Sequence, residues 1–431
     1  VSTMNAKTSS EGVEEASRMR NKMLGENGRS GEVKKEQVIL VAYVIVALDL
    51  TFLFMQLGVT PYLAKSLGLD SVGFGYIQTI FGVLQLVGGY IFGRFADQFG
   101  ARAAIILSCA SQSVFFLLMS FSTSIPLLFL SRVPAVFMHG IPGAQKVITD
   151  VTTPSQRADA LGKLGFCFGI GIIAGSVLGG VLSTKFGLFV PSYVGLVGSL
   201  INTLIAVVWI PSQTKPKSDH PVTEHSTSRS GSLFSIREIV RLMKFPGVME
   251  VFTVKVLSGL PLGLFMIMFS IISMDFFGLE AVESGYLMSY FGVLQMVVQG
   301  LLVGKLASHC TEMTLLRLSV FVFAGVGLGM ALMRTVWHYC IIALPLVFAF
   351  SMLGTITDSI LTKAVPSSDT GAMLGICASV QPLTRTVGPT IGGILYKQFG
   401  VSSFGYLQLI VNLGLFVYLL KSKIPLEEMK S

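Results

Sequence analysis

Twelve apolar runs, each long enough to cross a bilayer as a helix, leave this chain almost no other way to fold. They fall at 37–57, 73–95, 103–121, 125–147, 160–182, 188–210, 248–270, 284–306, 314–333, 340–361, 373–395 and 401–420. Roughly 20 apolar residues span the hydrocarbon layer as a helix, and only helices and closed barrels satisfy their own backbone there. A barrel needs short segments that alternate apolar with polar, and these runs do not alternate. Of the 431 residues 52% are hydrophobic and only 13% charged, too little charge to cover a soluble enzyme. The predicted fold class is an all-α membrane protein with twelve transmembrane helices.

Lys and Arg set the orientation, because cytoplasmic loops carry their excess. With both tails and the central loop on one side, that side holds 23 of the 31 basic residues; the other holds four, Lys65, Lys185, Arg334 and Lys397. The termini and central loop are therefore expected in the cytosol, of either a plasma membrane or an endomembrane such as the endoplasmic reticulum. The net charge of +8 flanks the apolar runs and forms no stripe, so nucleic acid is not an expected partner. Residues 1–36, rich in Ser, Gly, Lys and Glu, read as a disordered tail. Residues 212–246 read as a polar linker whose stretch 233–244 has the period of a basic surface helix, and 421–431 as a short C-terminal tail. The five cysteines fit no zinc or redox spacing. Gly140-Ile-Pro-Gly-Ala-Gln-Lys146 is not a phosphate-binding loop, so no nucleotide, metal or cofactor and no enzymatic activity are expected, and energy must come from gradients.

The two halves repeat. Phe81-Gly-Val-Leu-Gln85 recurs as Phe291-Gly-Val-Leu-Gln295 at an offset of 210 residues. Gly175-Ser-Val-Leu-Gly-Gly180 is echoed by Gly388-Pro-Thr-Ile-Gly-Gly393, and Ile148-Thr-Asp150 by Ile356-Thr-Asp358. Two parallel six-helix bundles, 37–211 and 247–420, place a binding site between them near the bilayer midplane.

Motifs sharpen this. The turn after span 2 reads Gly93-Arg-Phe-Ala-Asp97-Gln-Phe-Gly100-Ala-Arg102, span 4 carries Arg132 before Gly140 and Ala144, and span 5 carries Gly165, Gly169, Gly171, Gly175, Gly179 and Gly180. The chain resembles the major facilitator superfamily in these features, and within it the drug/proton antiporters and the organic-cation-transporter-like members of solute carrier family 22. The resemblance covers about 37–420. It departs from the antiporter pattern at Gln98 and Ala101, where basic residues stand in the loop motif, and at Ser176, where proline stands. It implies two rocking bundles and a conformational latch at Gly93, Asp97, Gly100 and Arg102. It implies a pivot at the span 5 glycines and at Gly388, Pro389, Gly392 and Gly393. The activity it implies is proton-coupled export of a small organic cation by what is expected to be a monomer.

Charges inside spans are costly and need a partner or a wet cavity. Asp49 is the one carboxylate well inside a first-half span, where a proton and a cation can compete for it. Arg132, His139 and Lys146 recur every seven residues and, on a continuous helix, share one face. From that face Arg132 is expected to reach Asp49, His139 to relay protons and Lys146 to pair with Asp150. Lys255, Arg385 and the repeat-related Gln85 and Gln295 complete the candidate proton and substrate site. An organic anion or a lipid as substrate, or a scaffold or sensor role for the same fold, are the alternative readings.

Overall fold

The computed structural model describes residues 2–152, 160, 163–212, 236–366 and 370–422, and among them the secondary structure is entirely helical. Span 1 is the last part of a helix running Ser2–Ser66. Spans 2 and 3 are Ser71–Phe99 and Ala101–Ser120; spans 5 and 6 are Leu164–Phe186 and Val190–Trp209. Span 7 is Val248–Asp275, and span 8 runs Ala281–Val297 into a π-helical stretch, Val298–Val303, and a last turn, Gly304–His309. Spans 9 to 12 are Glu312–Leu332, Val336–Ala364, Thr370–Phe399 and Ser402–Lys421. The basic surface helix is present as Ile236–Met243, with Leu242 buried and Arg237, Arg241 and Lys244 exposed.

Among the described residues, eleven helices are long and apolar enough to cross a membrane. Span 11 forms its helix but is more polar than the rest, because it packs on neighbours along two faces and carries Gln381, Thr384, Arg385, Thr386 and Thr390. Residues 2–36, expected without structure, are helical. Their Ala, Met, Glu, Lys and Arg are good helix formers, Glu14 and Arg18 pair at 3.5 Å across one turn, and span 1 supplies a nucleus from which helix propagates.

Span 4 departs most from expectation. It is not one helix but half-helix 4a, Ile125–Leu130, a 3-10 turn, Val133–Phe137, and half-helix 4b, Gly140–Val151. Pro134 and Pro142 explain the breaks, since each lacks an N–H and its ring clashes with the carbonyl four residues earlier.

The repeat is visible in three dimensions. Gly68 and Gly278, 210 residues apart, both turn the chain with positive φ of 94° and 65° after spans 1 and 7. Asn202 of span 6 donates to the Ile45 carbonyl of span 1 at 3.2 Å. Asn412 of span 12, again 210 residues on, accepts from Ser258 of span 7 at 2.6 Å.

The halves meet toward the end opposite that where spans 1 and 7 begin, here called the distal end. Span 2 packs on span 11 and span 5 on span 8, as copies of one contact. A Cβ on Gly75 would lie 2.5 Å from the Pro389 carbonyl oxygen, and one on Gly285 would lie 2.2 Å from that of Ser176. One on Gly393 would lie 2.9 Å from the Ser71 carbonyl, and one on Gly180 would lie 2.5 Å from that of Ala281. Absent side chains thus let the backbones touch. Polar contacts cross the same seam. Tyr62 OH donates to the Leu279 carbonyl at 3.0 Å and lies 2.6 Å from Ser284 Oγ; Thr79 meets Thr390 at 2.7 Å; Ser289 donates to the Ile173 carbonyl at 3.1 Å. At the rim Lys65 pairs with Asp275 at 3.5 Å and Asp70 with Lys397 at 2.8 Å. Lys65 and Asp275 are themselves repeat-equivalent, so the pseudo-twofold axis joins opposite charges.

Candidate functional site

Span 4 runs antiparallel to span 1, and its two breaks decide what each part offers. Asp49, Gln56 and Thr60 recur at intervals of seven and four residues, so they share the face of span 1 that meets span 4. The first part of span 4 delivers Arg132. The residue is 2% exposed, and its guanidinium donates to Gln56 Oε1 at 2.9 Å and Thr60 Oγ1 at 3.3 Å and sits 5.0 Å over the Phe115 ring. Gln56 Oε1 also accepts from the Thr60 hydroxyl at 2.9 Å. This corrects the expected Arg132–Asp49 pair, because Arg132 is engaged two turns further along span 1. Bonds to a charged group are worth ~1.5–3 kcal/mol each, and a desolvated cation–π contact adds about 2. Neutral oxygens and a ring face hold the guanidinium, with no carboxylate paired to it among the described residues.

The second part delivers Gly140. A Cβ there would lie 2.6 Å from Asp49 Oδ2, so the carboxylate rests in the space that glycine leaves at the start of half-helix 4b. Asp49 is partly exposed, and among the described residues no group donates a hydrogen bond to its carboxylate or pairs with it. Its backbone carbonyl accepts from Gln112 of span 3 at 3.2 Å, which ties this turn of span 1 in place.

The break has its own supports. Gln85 of span 2 donates to the Met138 carbonyl at 3.3 Å, and Ser108 of span 3 accepts from the His139 N–H at 3.0 Å. His139 Nε2 lies 3.0 Å from the Val136 carbonyl, and its ring is 5.2 Å from that of Phe92. Gly88 leaves room for the Val136 carbonyl, 1.8 Å from where a Cβ would stand. In a bilayer, backbone groups freed by a broken helix must find such partners. Gln85 and His139, expected to bind substrate or relay protons, thus brace the break. Arg132, His139 and Lys146 do not form a single basic face, because the helix that would align them is interrupted twice. Lys146 and Asp150 are both engaged.

In the second half, Arg385 is exposed although it lies between two packed faces of span 11. Gly388 and Gly392 meet Leu264, Ile267 and Met268 of span 7, while Pro389 and Gly393 meet span 2. The direction between those faces looks into the space between the bundles, and Gln381, one turn earlier and also exposed, shares it. Lys255 of span 7 is half-buried, with Thr357 of span 10 at 3.5 Å among its contacts. Gln295 is half-buried on span 8, and its side chain has no bonding partner among the described residues.

The expected pivot separates into two sets. Gly171, Gly175 and Gly179 pack on Leu50, Thr51 and Met55 of span 1 inside the first half, as Gly388 and Gly392 pack on span 7 inside the second. Among the described residues of this set, Gly180, Pro389, Gly393 and Gly169, which faces Met296, touch the opposite half. In the expected latch, Gly100 closes the turn with φ 90°, and Arg102 donates to the Val207 carbonyl of span 6 at 2.9 Å, a bond within one half. The side chain of Asp97, with Gly93 and Gly165, lies outside the residues described at that level.

Sequence reasoning missed Gln56, Thr60, Ser108 and Gln112. Gln56 and Thr60 were legible as polar residues two and three turns beyond Asp49, but their partner depends on the fold.

The Major Facilitator Superfamily model matches residues 39–381. Solute carrier family 22 member 18 of Mus musculus is 54% identical over 392 residues, covering 90% of this chain and 96% of that protein. The class B tetracycline resistance protein of Escherichia coli is 24% identical, covering 83% and 88%. Among solved structures, a peptide transporter crystallised with sulfate superposes with a TM-score of 0.71 at 13% identity, covering 91% of this chain and 95% of that one.

Proposed function

Because the chain belongs to the major facilitator superfamily, whose members are membrane transporters and not enzymes, we propose that it is a proton-coupled antiporter that moves organic cations out of the cytosol. The observation that carries the reading is Asp49. A carboxylate inside a span, partly exposed and with no donor or cation among the described residues, calls for something that arrives from outside to balance it. A proton and an organic cation are the two ligands that do so, and their competition at one carboxylate couples opposite fluxes. The likeness to drug/proton antiporters in spans 4 and 5, and the tetracycline and solute carrier relatives, support the same class.

The distribution of Lys and Arg puts both termini and the linker in the cytosol and the distal end outside. The distal seam, with its touching backbones and two rim ion pairs, then belongs to a state closed to the outside. Transport proceeds as residues 37–211 rock against 247–420 about the span 2–11 and span 5–8 contacts. Arg385 favours a second reading, since an exposed arginine on the inner face of span 11 suits an organic anion.

The test is reconstitution with a pH-sensitive dye trapped inside. Addition of organic cations is expected to move protons in the wild type and not in Asp49→Asn. Full coupling in that variant removes the reading, and proton movement evoked by anions instead establishes the second.

A further inference from the structure

We infer that the break in span 4 serves to set the Asp49 carboxylate against the start of half-helix 4b, and that Gly140 is the positioning residue that admits it. This rests on the proposed role of Asp49. Three independent features agree. The two prolines interrupt the helix so that a new first turn begins at Gly140. Gln85, Ser108 and Gly88 supply the hydrogen bonds and the space that keep it interrupted. A glycine stands where a Cβ would crowd both Asp49 carboxylate oxygens, at 2.6 and 3.2 Å.

A helix start carries unsatisfied N–H groups and the positive end of the helix dipole. Half-helix 4b has twelve residues, enough for that field. Pro142 adds no donor in this turn, so its N–H groups are those of Gly140 and Ile141. The protein thereby gives Asp49 a weak, fixed, partial positive charge in place of a full one. A guanidinium in that position would hold the carboxylate ionised and exclude a cation; a helix start leaves it able to accept either a proton or a cation. The elements packed around Asp49 bring few competitors. Span 3 presents Cys109 within electrostatic reach, spans 5 and 6 meet neighbouring residues of span 1 through Gly171, Gly175 and the neutral Asn202, His139 beside Gly140 is turned to the Val136 carbonyl and the Phe92 ring, and Arg132 is turned to Gln56 and Thr60.

The experiment is infrared titration of the purified full-length protein in lipid, following the carboxylic acid C=O band that Asp49→Asn removes. This readout needs no substrate. Gly140→Ala forces the carboxylate away from the helix start, and its titration midpoint is expected to move to higher pH by roughly 0.2–1.5 units. Ser108→Ala, which adds no bulk and only loosens the break, is expected to move it in the same direction by less. A midpoint unchanged in both variants, with the band still assigned to Asp49, overturns the positioning role while leaving the transport reading intact. Loss of the transport reading would instead appear as full coupling in Asp49→Asn, whatever the midpoints do.

Discussion

Gly285→Ala is expected to shift the balance of access states rather than simply weaken the fold. The new Cβ would stand 2.2 Å from the Ser176 carbonyl oxygen, while ordinary contact begins at 3.4 Å, so spans 5 and 8 must part by about 1.2 Å. Gly75→Ala, its repeat-related counterpart, falls 0.9 Å short against Pro389. Both obstacles are backbone carbonyls, so no rotamer change relieves them. Overpacking of this kind costs about 1–3 kcal/mol. The cost is felt only while the distal seam is closed, so it appears as a roughly 5- to 150-fold change in the ratio of the two states. Gly171→Ala is the control: it meets Leu50 Cβ at 2.5 Å inside the first half and so strains both states alike. Spin labels on cysteines introduced at the exposed positions Thr123 and Arg334, in a background without the native cysteines, report the distance across the distal end. The long-distance population is expected to grow in Gly285→Ala and Gly75→Ala and to stay as in wild type in Gly171→Ala. Unchanged distances in both seam variants, or an equal change in the control, would refute the reasoning.

Other outcomes follow from the same geometry. Arg132→Lys keeps the charge but cannot reach Gln56 and Thr60 together, and is expected to cost ~1–3 kcal/mol, read as a lower unfolding temperature in detergent. The Lys397 ammonium and, next, the Gly73 N–H hold the Asp70 carboxyl below the usual carboxylate range. Because the folded value is the lower one, the contribution of Asp70 is whole above about pH 4 and fades as pH falls through the depressed value. Asp70→Asn is therefore expected to lower thermal stability slightly and equally at pH 7 and pH 5, by under ~1 kcal/mol for so exposed a pair, and to match wild type in stronger acid. Asp49→Asn is expected to lose cation-evoked proton movement in proteoliposomes, and Gly140→Ala to move the Asp49 titration midpoint upward by infrared.

Much of the architecture was legible in the chain itself. Long apolar runs admit only spanning helices, because an unpaired backbone group in hydrocarbon is too costly. The 210-residue echoes gave two parallel bundles, and Lys and Arg gave the expected sidedness. Asp49 stood out from sequence because a lone carboxylate in a span demands an explanation. What it faces did not. The seven-residue spacing of Arg132, His139 and Lys146 aligns them only on an unbroken helix, and Pro134 and Pro142 break it. The glycines of span 5 read as one pivot, yet they form two stripes, one toward span 1 and one toward span 8. Periodicity tells which residues share a face but not which neighbour that face meets. Only the packing of spans 1 and 4 turned Arg132 to Gln56 and Thr60 and left Asp49 to Gly140. A side chain's partner is set by the approach of another helix, and that approach is decided by contacts hundreds of residues apart.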